Sequence, residues 1–383
     1  MLNTEQLDKL TAFRKKMHAN PELSEQESET AKCIISFLDD CNPQQIITKV
    51  GGHGILAIFD SGTNGDSLLF RADMDALPIE EINDFEHRSK TKGVSHKCGH
   101  DGHTAILLGL ATLLSKYPPK KGKAFLLFQP AEEIGKGAAD VLNDEKFKEI
   151  KPDWVFGLHN LPGFPLHQVV VKNDSFTASV VSLVVDFIGK TAHAAEPEHG
   201  INPALAVSEL LLQATIWSNN SPERDDFAVV TPVHVNLGSI AYGTSAGEAK
   251  LGFTIRAWTE KVMEQLKAKM ETFLISLAEK HGLEMNFKYI EEFKACINHP
   301  DAVKQIKKVA EDLKLEVSEP NLPFKWGEDF GLFTQSYKGA LFGLGSGKNQ
   351  PTLHNPDYDF PDELIPTGAQ LFYKLCKNHL ACP

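Results

Sequence analysis

The stretch Ser67-Leu68-Leu69-Phe70-Arg71-Ala72-Asp73-Met74-Asp75 combines a short apolar run with acidic residues at the point where the run ends. Other short apolar runs occur in the first half of the chain, at residues 54–59, 124–128 and 154–158. Helix-like segments separate or flank these runs, at residues 4–18, 26–40, 103–116 and 136–149. Strands that alternate with helices of this length are typical of an α/β domain with a mostly parallel sheet. We therefore predict a mostly parallel-core sheet flanked by helices.

The pattern changes near residue 175 and changes back near residue 293. Between these points we predict β-strands at residues 180–187, 227–238 and 249–258, and helices at about 202–218 and 260–281. Strands that do not alternate one by one with helices favour a separate α+β unit. A helix near 300–313 and a strand at 340–344 then restore the first pattern. The sequence thus predicts a main domain of residues 1–174 and 293–383, into which residues 175–292 are inserted.

Composition and charge exclude several classes of protein. The 383 residues are 42% hydrophobic and 23% charged, which is typical of a globular protein with about two domains. The 39 basic and 51 acidic residues give a net charge of −12, which disfavours nucleic acid as a partner. No apolar run approaches the roughly 18 residues of a membrane span, and residues 1–6 lack the features of a secretory signal. With six scattered cysteines, we predict a cytoplasmic protein without disulfides and without a membrane partner.

Polar side chains follow several of the predicted strands. Glu132 and Glu133 come after the run at 124–128, His159 directly follows the run at 154–158, and His354 comes after the last strand. In an open α/β sheet, ligands bind beyond the carboxyl ends of the strands. We therefore expect these side chains to converge at one edge of the sheet.

A further segment, His96-Lys97-Cys98-Gly99-His100-Asp101-Gly102-His103, leads directly into an apolar helix. Imidazole, thiolate and carboxylate groups are the ligands of divalent zinc, manganese, cobalt or nickel. The same segment would also suit a zinc knuckle or a plain loop, and consecutive glutamates are usually solvated. The convergence of five segments on one edge of the sheet favours a metal site.

The predicted ligands are Cys98, His100, Glu133, His159 and His354. Their number exceeds the four ligands of a closed tetrahedral site. A thiolate can bridge, so we predict two divalent ions about 3.5–4 Å apart that share Cys98. Such a pair activates a bridging water and polarises a carbonyl oxygen. Because adjacent side chains on an extended segment point to opposite sides, we assign Glu133 as ligand and Glu132 as general acid/base.

Seven stretches carry a family resemblance, at residues 14–23, 71–79, 98–103, 129–133, 189–194, 327–330 and 353–355. Through them the chain resembles the amidohydrolase branch of the dinuclear metallopeptidases, subfamily D of peptidase family M20. That branch includes hydrolases of N-acyl amino acids, hippurate and indole-acetyl-amino acids. The resemblance implies a metal-dependent amidohydrolase that cleaves the amide bond of a small N-acyl amino acid. It also implies that the inserted domain is a lid and dimerisation domain, so that the enzyme is a homodimer.

The resemblance assigns supporting roles to several residues of the main domain. Asp75 is counted with the catalytic residues because it would orient a metal ligand, and Asp101 and Asp329 would act similarly. His18 and Glu22 lie in a matching stretch, but we interpret them as structural because they belong to the opening helix.

Three residues of the inserted domain complete the candidate site. The resemblance implies that His193 supports the oxyanion, in some relatives from the partner subunit, and that Arg256 grips the substrate carboxylate. Asn202, at the start of the lid helix, is a second candidate for substrate binding. Residues 243–249 lack the Asn-x-x-Pro element of relatives, which affects the prediction of the acyl preference.

Two alternative functions remain open at this point. An aminopeptidase or dipeptidase would use the same metal centre but would need an acidic group to hold the free α-amine. A metal-stabilised binding protein would catalyse nothing, and Glu132 argues against it because this residue has no structural duty if Glu133 is the ligand.

Overall fold

The computed structural model describes residues Met1 to Pro383 and divides into two compact units. The main unit comprises Met1–Phe176, Cys296–Asn321 and Glu328–Pro383. The inserted unit comprises Thr177–Ala295 and also the short segment Leu322–Gly327, which the sequence placed in the main domain. This segment joins the inserted unit through its backbone, because Ala178 N–H donates to the Phe324 carbonyl at 2.8 Å.

The first part of the main unit alternates strands and helices. Its helices are α1 (Thr4–Ala19), α2 (Ser28–Cys41), α3 (His100–Lys116), α4 (Gly137–Asn143) and α5 (Glu145–Lys148). Its strands are β1 (Gln45–Val50), β2 (Gly54–Asp60), β3 (Ser67–Asp73), β4 (Lys123–Gln129), β5 (Trp154–Pro162), β6 (Val169–Val170) and β7 (Asp174–Ser175).

The inserted unit is built from longer antiparallel strands. Its strands are β8 (Ser179–Ile188), β9 (Ala192–His193), β10 (Ala228–Leu237), β11 (Thr244–Ser245), β12 (Glu248–Ala257) and β13 (Glu284–Phe293). Its helices are α6 (Ala204–Trp217) and α7 (Glu260–His281), with a 3-10 turn at Pro197–His199. The strands β10, β12, β8 and β13 form, in that order, an antiparallel sheet.

The chain then returns to the main unit. The remaining elements are β14 (Ile297–Asn298), α8 (Pro300–Asp312), β15 (Val317–Ser318), α9 (Gly331–Ser336), β16 (Gly339–Gly347) and α10 (Leu364–Leu380). None of the helices is both apolar enough and long enough to cross a membrane.

The main sheet has eight strands in the order β1-β2-β4-β3-β5-β16-β6-β15. Its four central strands, β4, β3, β5 and β16, run parallel to one another. Fully buried side chains such as Phe70, Leu126, Phe156 and Phe342 form the core around them. This architecture confirms the predicted α/β class, and it brings the carboxyl ends of the four central strands to one edge of the sheet.

Two predicted elements of the main unit differ from those observed. Strand β5 continues to Pro162, because His159 and Asn160 pair with Gly343 and Leu344 of β16, so His159 lies within the strand. The helix expected over residues 136–149 is interrupted at Asp144. The backbone of Asp144 is extended, and its side chain accepts hydrogen bonds from the amides of Gly51 and Lys146 instead.

Candidate metal centre and active site

The start of helix α3 brings Cys98 and His100 to the carboxyl edge of the sheet. Gly99, between them, has a φ of 97°, and a Cβ added there would lie 2.4 Å from Oδ1 of Asn160. Only glycine combines this backbone conformation with such a close approach. The tight turn therefore allows both neighbouring side chains to face the ends of the central strands.

The main unit brings the five predicted ligands together. Potential ligand atoms lie within 4.8 Å of one another in the group Cys98, His100 and His159, and also in the group Cys98, Glu133 and His354. Cys98 Sγ lies 3.6 Å from His159 Nε2, and the Glu133 carboxylate lies 3.6 Å from His100 Nε2 and 3.7 Å from His354 Nε2. Cys98 therefore belongs to two adjoining sets of potential ligands.

His354 reaches the site from a loop and not from a strand. Its φ of 65° is unusual for a residue other than glycine, and its N–H donates to the Lys97 carbonyl at 2.8 Å. This hydrogen bond ties the loop to the residue before Cys98. The backbone strain at His354 is thus held in place next to the candidate metal centre, where strained residues often occur.

Asp75 contacts one of the candidate ligands directly. Its Oδ1 lies 3.2 Å from His100 Nδ1, and its Oδ2 accepts hydrogen bonds from Ser24 Oγ at 2.7 Å and from Glu133 N–H at 3.0 Å. Burial would raise the pKa of Asp75, but hydrogen bonds from His100, Ser24 and Glu133 N–H lower it. An ionised Asp75 keeps the Nδ1 proton on His100 and leaves Nε2 facing the other ligands.

The carboxylates of the site carry more negative charge than the nearby cationic groups neutralise. Burial and the carboxylates of Asp75 and Asp73 raise the pKa of Glu133 to about 8, although His100 lowers it. Burial alone would lower the pKa of His100, but Asp73, Asp75 and Glu133 raise it to about 10. In addition, His100 Nε2 and Glu133 Oε1 are buried and have no hydrogen-bond partner. A divalent cation would supply both the missing charge and the missing partner, so the residues fit a metal centre.

The two adjacent glutamates are placed differently from the prediction. Residues 132–135 form a turn, in which Gly135 N–H donates to the Glu132 carbonyl at 2.8 Å, so the assumption of an extended segment is wrong. Both carboxylates face the same imidazole, since those of Glu132 and Glu133 lie 3.9 Å and 3.6 Å from His100 Nε2. They differ in their other contacts, because only Glu132 accepts the N–H of Asp329, at 3.3 Å.

Burial and the surrounding carboxylates raise the pKa of Glu132. Burial, followed by the carboxylates of Glu328, Asp329 and Glu133, raises this pKa well above its ordinary value, while Arg71 opposes the shift. A carboxyl group with a raised pKa can both take a proton from water and return it to a leaving group. Glu132 is therefore equipped for proton transfer.

Arg71 is a buried residue of the site to which the sequence analysis gave no role. Its guanidinium donates to Asp73 and Asp329 at 2.7 Å each and to Gln129 Oε1 at 2.8 Å, and it lies 3.0 Å from Glu328. A signal was available in the sequence, because a charged residue inside an apolar strand needs buried partners.

Two of the implied supporting residues do not contact a candidate ligand. Asp101 accepts hydrogen bonds instead from His18 Nδ1 at 2.9 Å and from Arg14 at 3.4 Å. Asp329 faces Arg71 and Gln129, and only its backbone reaches Glu132. Of the three aspartates, Asp75 alone hydrogen-bonds to a candidate ligand.

His18 and Glu22 have the surroundings of structural residues. His18 is fully buried, and its ring nitrogens contact Asp101 and Glu81. Glu22 lies beyond the end of α1 at Ala19, so its expected place on the opening helix is wrong. Its carboxylate accepts hydrogen bonds from the amides of Glu29 and Thr30 in the first turn of α2. A carboxylate at this position stabilises the helix by satisfying amides that have no partner within it.

The other three predicted residues belong to the inserted unit. His193, on β9, pairs with Thr244 of β11, and Asn202 donates to Ser245 Oγ of that strand at 2.9 Å, so these two lie near each other. Asn202 also accepts the N–H of Ala204 at the start of α6. Arg256, near the end of β12, is half-buried and donates to the Lys325 carbonyl at 2.6 Å.

The chain matches known proteins over almost its whole length. A family model described as peptidase family M20/M25/M40 matches residues 69–378. The N-acetyl-L-cysteine deacetylase of Bacillus subtilis is 32% identical, covering 99% of this chain and 90% of that protein. The hippurate hydrolase of Campylobacter jejuni is 30% identical, covering 96% of both chains. The crystal structure of Bacillus subtilis YXEP, described as a dinuclear metal binding peptidase from the M20 family, has a TM-score of 0.81 at 27% identity and covers 97% of this chain and 98% of that one.

Proposed function

Because the chain belongs to peptidase family M20/M25/M40, we propose that it is a metal-dependent amidohydrolase that cleaves N-acyl amino acids. The observation that carries the proposal is the gathering of five ligand side chains around Cys98, with Glu132 beside them. The relatives named as a deacetylase and as a hippurate hydrolase support the substrate class.

Two divalent ions are part of this proposal. Cys98 would contribute to both, together with His100 and His159 on one side and Glu133 and His354 on the other. The ions would be zinc, manganese, cobalt or nickel, since this mixture of thiolate, imidazole and carboxylate suits each of them. When bound, such ions activate water at neutral pH and polarise the carbonyl group of the substrate.

Glu132 supplies the proton transfer in the proposed reaction. Its carboxylate takes a proton from the attacking water and later gives it to the leaving amide nitrogen. Asp329 N–H holds one oxygen of this carboxylate, while the other lies 3.9 Å from His100 Nε2. His193 would stabilise the oxyanion, and Arg256 and Asn202 would bind the substrate.

A panel of substrates tests this function against the peptidase alternative. We expect the metal-loaded enzyme to hydrolyse N-acetyl or N-benzoyl amino acids with a kcat/KM at least ~10-fold higher than for the corresponding dipeptides. The reason is that a neutral acyl group needs no acidic partner, whereas a free α-amine does. Product amino acid is measured for each substrate, with chelator-treated enzyme as the control.

Other results of the same panel would identify the alternatives. Faster cleavage of dipeptides would favour an aminopeptidase or dipeptidase. No turnover of any substrate by protein with two bound ions, together with a loss of stability on chelation, would favour the binding protein.

The proposal includes a homodimer formed through the inserted unit. His193 and Arg256 lie near opposite ends of β12. His193 pairs with β11, which precedes Glu248 at the start of β12, whereas Arg256 lies near the other end. Glu248 and Arg256 are eight residues apart, which corresponds to roughly 26 Å along an extended strand. One amino acid cannot contact both ends of this strand. A second copy would therefore have to provide His193 to the site served by Arg256.

The inserted unit has an uncovered surface that suits such a dimer. Strand β10 is at the edge of its sheet, where Val233 and Val235 are exposed. On the neighbouring helix α6, Leu205, Leu212 and Ile216 are each about two-thirds exposed or more, at 67%, 67% and 73%. An open strand edge beside exposed apolar side chains is typical of a protein interface.

Charged substitutions on helix α6 test whether this surface forms the dimer interface. We expect the double substitution Leu212→Asp and Ile216→Asp to convert the dimer to a monomer, because it would bury two unpaired carboxylates in the interface. Light scattering after gel filtration measures the mass. The matched control is Ile275→Asp, since Ile275 is 52% exposed on α7 of the same unit and is expected to leave the dimer intact. A monomeric parent protein, or dissociation by the control as well, would contradict the assignment.

A cytoplasmic location also belongs to the proposal. The six cysteines form no disulfides in the structure, and a thiolate such as that of Cys98 serves as a ligand only while it stays reduced.

A further inference from the structure

Glu132 is held by a main-chain group whose own position is determined by a buried network. The Asp329 N–H donates to Glu132 Oε1 at 3.3 Å, and both residues are buried. Glu132 lies in a turn, so its backbone is not restrained by a strand or a helix. The hydrogen bond from Asp329 is therefore a specific restraint on the orientation of its carboxylate.

Both oxygens of the Asp329 carboxylate are hydrogen-bonded. Its two oxygens accept hydrogen bonds from Gln129 Nε2 at 2.9 Å and 2.8 Å, and Oδ2 also accepts the N–H of Ala138 at 2.8 Å. Arg71 donates to Oδ1 at 2.7 Å. Since these groups belong to β3, β4 and α4, three elements of the main unit fix one carboxylate.

Arg71 lies at the centre of this network. Besides Asp329, its guanidinium contacts Asp73 at 2.7 Å and Gln129 at 2.8 Å, and its planar shape matches several acceptors at once. The side chain is almost completely buried, so water does not compete for these bonds. A continuous chain of contacts thus runs from Arg71 through the Asp329 side chain and backbone to Glu132.

We propose that Arg71 and Asp329 are positioning residues for Glu132: Arg71 fixes the Asp329 carboxylate, and the Asp329 main chain fixes one oxygen of the Glu132 carboxylate. Neither Arg71 nor Asp329 hydrogen-bonds to one of the five candidate ligands, so we expect their contribution to act on proton transfer. The Asp73 carboxylate, which Arg71 also contacts, lies 3.7 Å from His100 Nε2, so the test measures bound metal in every variant. This inference rests on the proposed function, in which Glu132 is the general base.

Positioning of this kind has a measurable effect on rate. A general base must lie within hydrogen-bond reach of the proton that it removes, and a misplacement of 1 Å can cost ~100-fold in rate. Substitution of Arg71 or Asp329 should therefore lower kcat while the binding of substrate changes little.

A double-mutant cycle separates positioning from a general structural role. We expect Arg71→Lys and Asp329→Asn each to lower kcat at least ~10-fold, with KM within ~3-fold and with metal content unchanged. In a Glu132→Gln background, the same substitutions should change the residual kcat less than ~2-fold, because the group that they position is already disabled.

The matched control is Arg14→Lys, which alters another fully buried arginine that contacts three carboxylates away from Glu132. Any effect of this control on kcat should be the same in both backgrounds. Equal losses from Arg71→Lys and Asp329→Asn in both backgrounds, or a loss of bound metal in these variants, would overturn the inference. Full activity of Glu132→Gln alone would refute the role of Glu132 itself, and the inference with it.

Discussion

Replacing Glu132 with glutamine is expected to lower kcat at least ~100-fold while both metal ions stay bound, since general acid–base catalysis contributes factors of this size. Glutamine has the shape of glutamate and can still accept the Asp329 N–H, but it cannot take a proton from water. Steady-state kinetics on an N-acyl amino acid and metal analysis of the same preparation measure the two quantities.

The control for this experiment is Glu22→Gln. Glu22 lies in the same unit, but its carboxylate caps α2 through the amides of Glu29 and Thr30. It is expected to leave kcat unchanged and to affect only stability. Near-normal turnover by the Glu132 variant would show that another group transfers the proton, and loss of metal would show that Glu132 is itself a ligand.

Replacing Cys98 with alanine is expected to weaken metal binding by more than ~100-fold and to abolish activity with it. Substitution of residues that only support a ligand already costs 10–100-fold in metal affinity. Cys98 belongs to both groups of potential ligands, so its loss should affect two ions and not one. Metal titration monitored by calorimetry gives the affinity and the stoichiometry.

Cys376→Ala is the matched control, because Cys376 is also buried but lies in α10 within the hydrophobic core. It should lower stability without changing metal stoichiometry. Two ions bound to the Cys98 variant with unchanged affinity would mean that the thiolate is not a ligand.

The parallel sheet could be predicted because its central strands contain continuous apolar runs. Both faces of β3 and β4 are buried by helices, so Leu68–Phe70 and Ala124–Phe128 appear in the sequence as continuous apolar runs. The continuation of β5 past His159 could not be predicted in this way. It depends on pairing with β16, a strand that lies about 180 residues later in the chain.

The ligand residues could be predicted because metal-binding chemistry restricts the side chains that serve it. Cys98, His100 and His159 are types that few other roles bring together in one site. The orientation of Glu132 could not be predicted from the local sequence. The turn at residues 132–135 follows Ala131, whose φ is 54° and whose N–H donates to the Glu27 carboxylate. A contact between residues 104 positions apart leaves no local pattern in the sequence.

The central claim is that Cys98, His100, Glu133, His159 and His354 hold two divalent ions. A crystal structure of the metal-loaded protein, with diffraction data collected above and below the absorption edge of the bound metal, tests this claim most directly. Two anomalous peaks about 3.5–4 Å apart are expected, both within bonding distance of Cys98 Sγ. A single peak, or two peaks that lie away from Cys98, would contradict the claim.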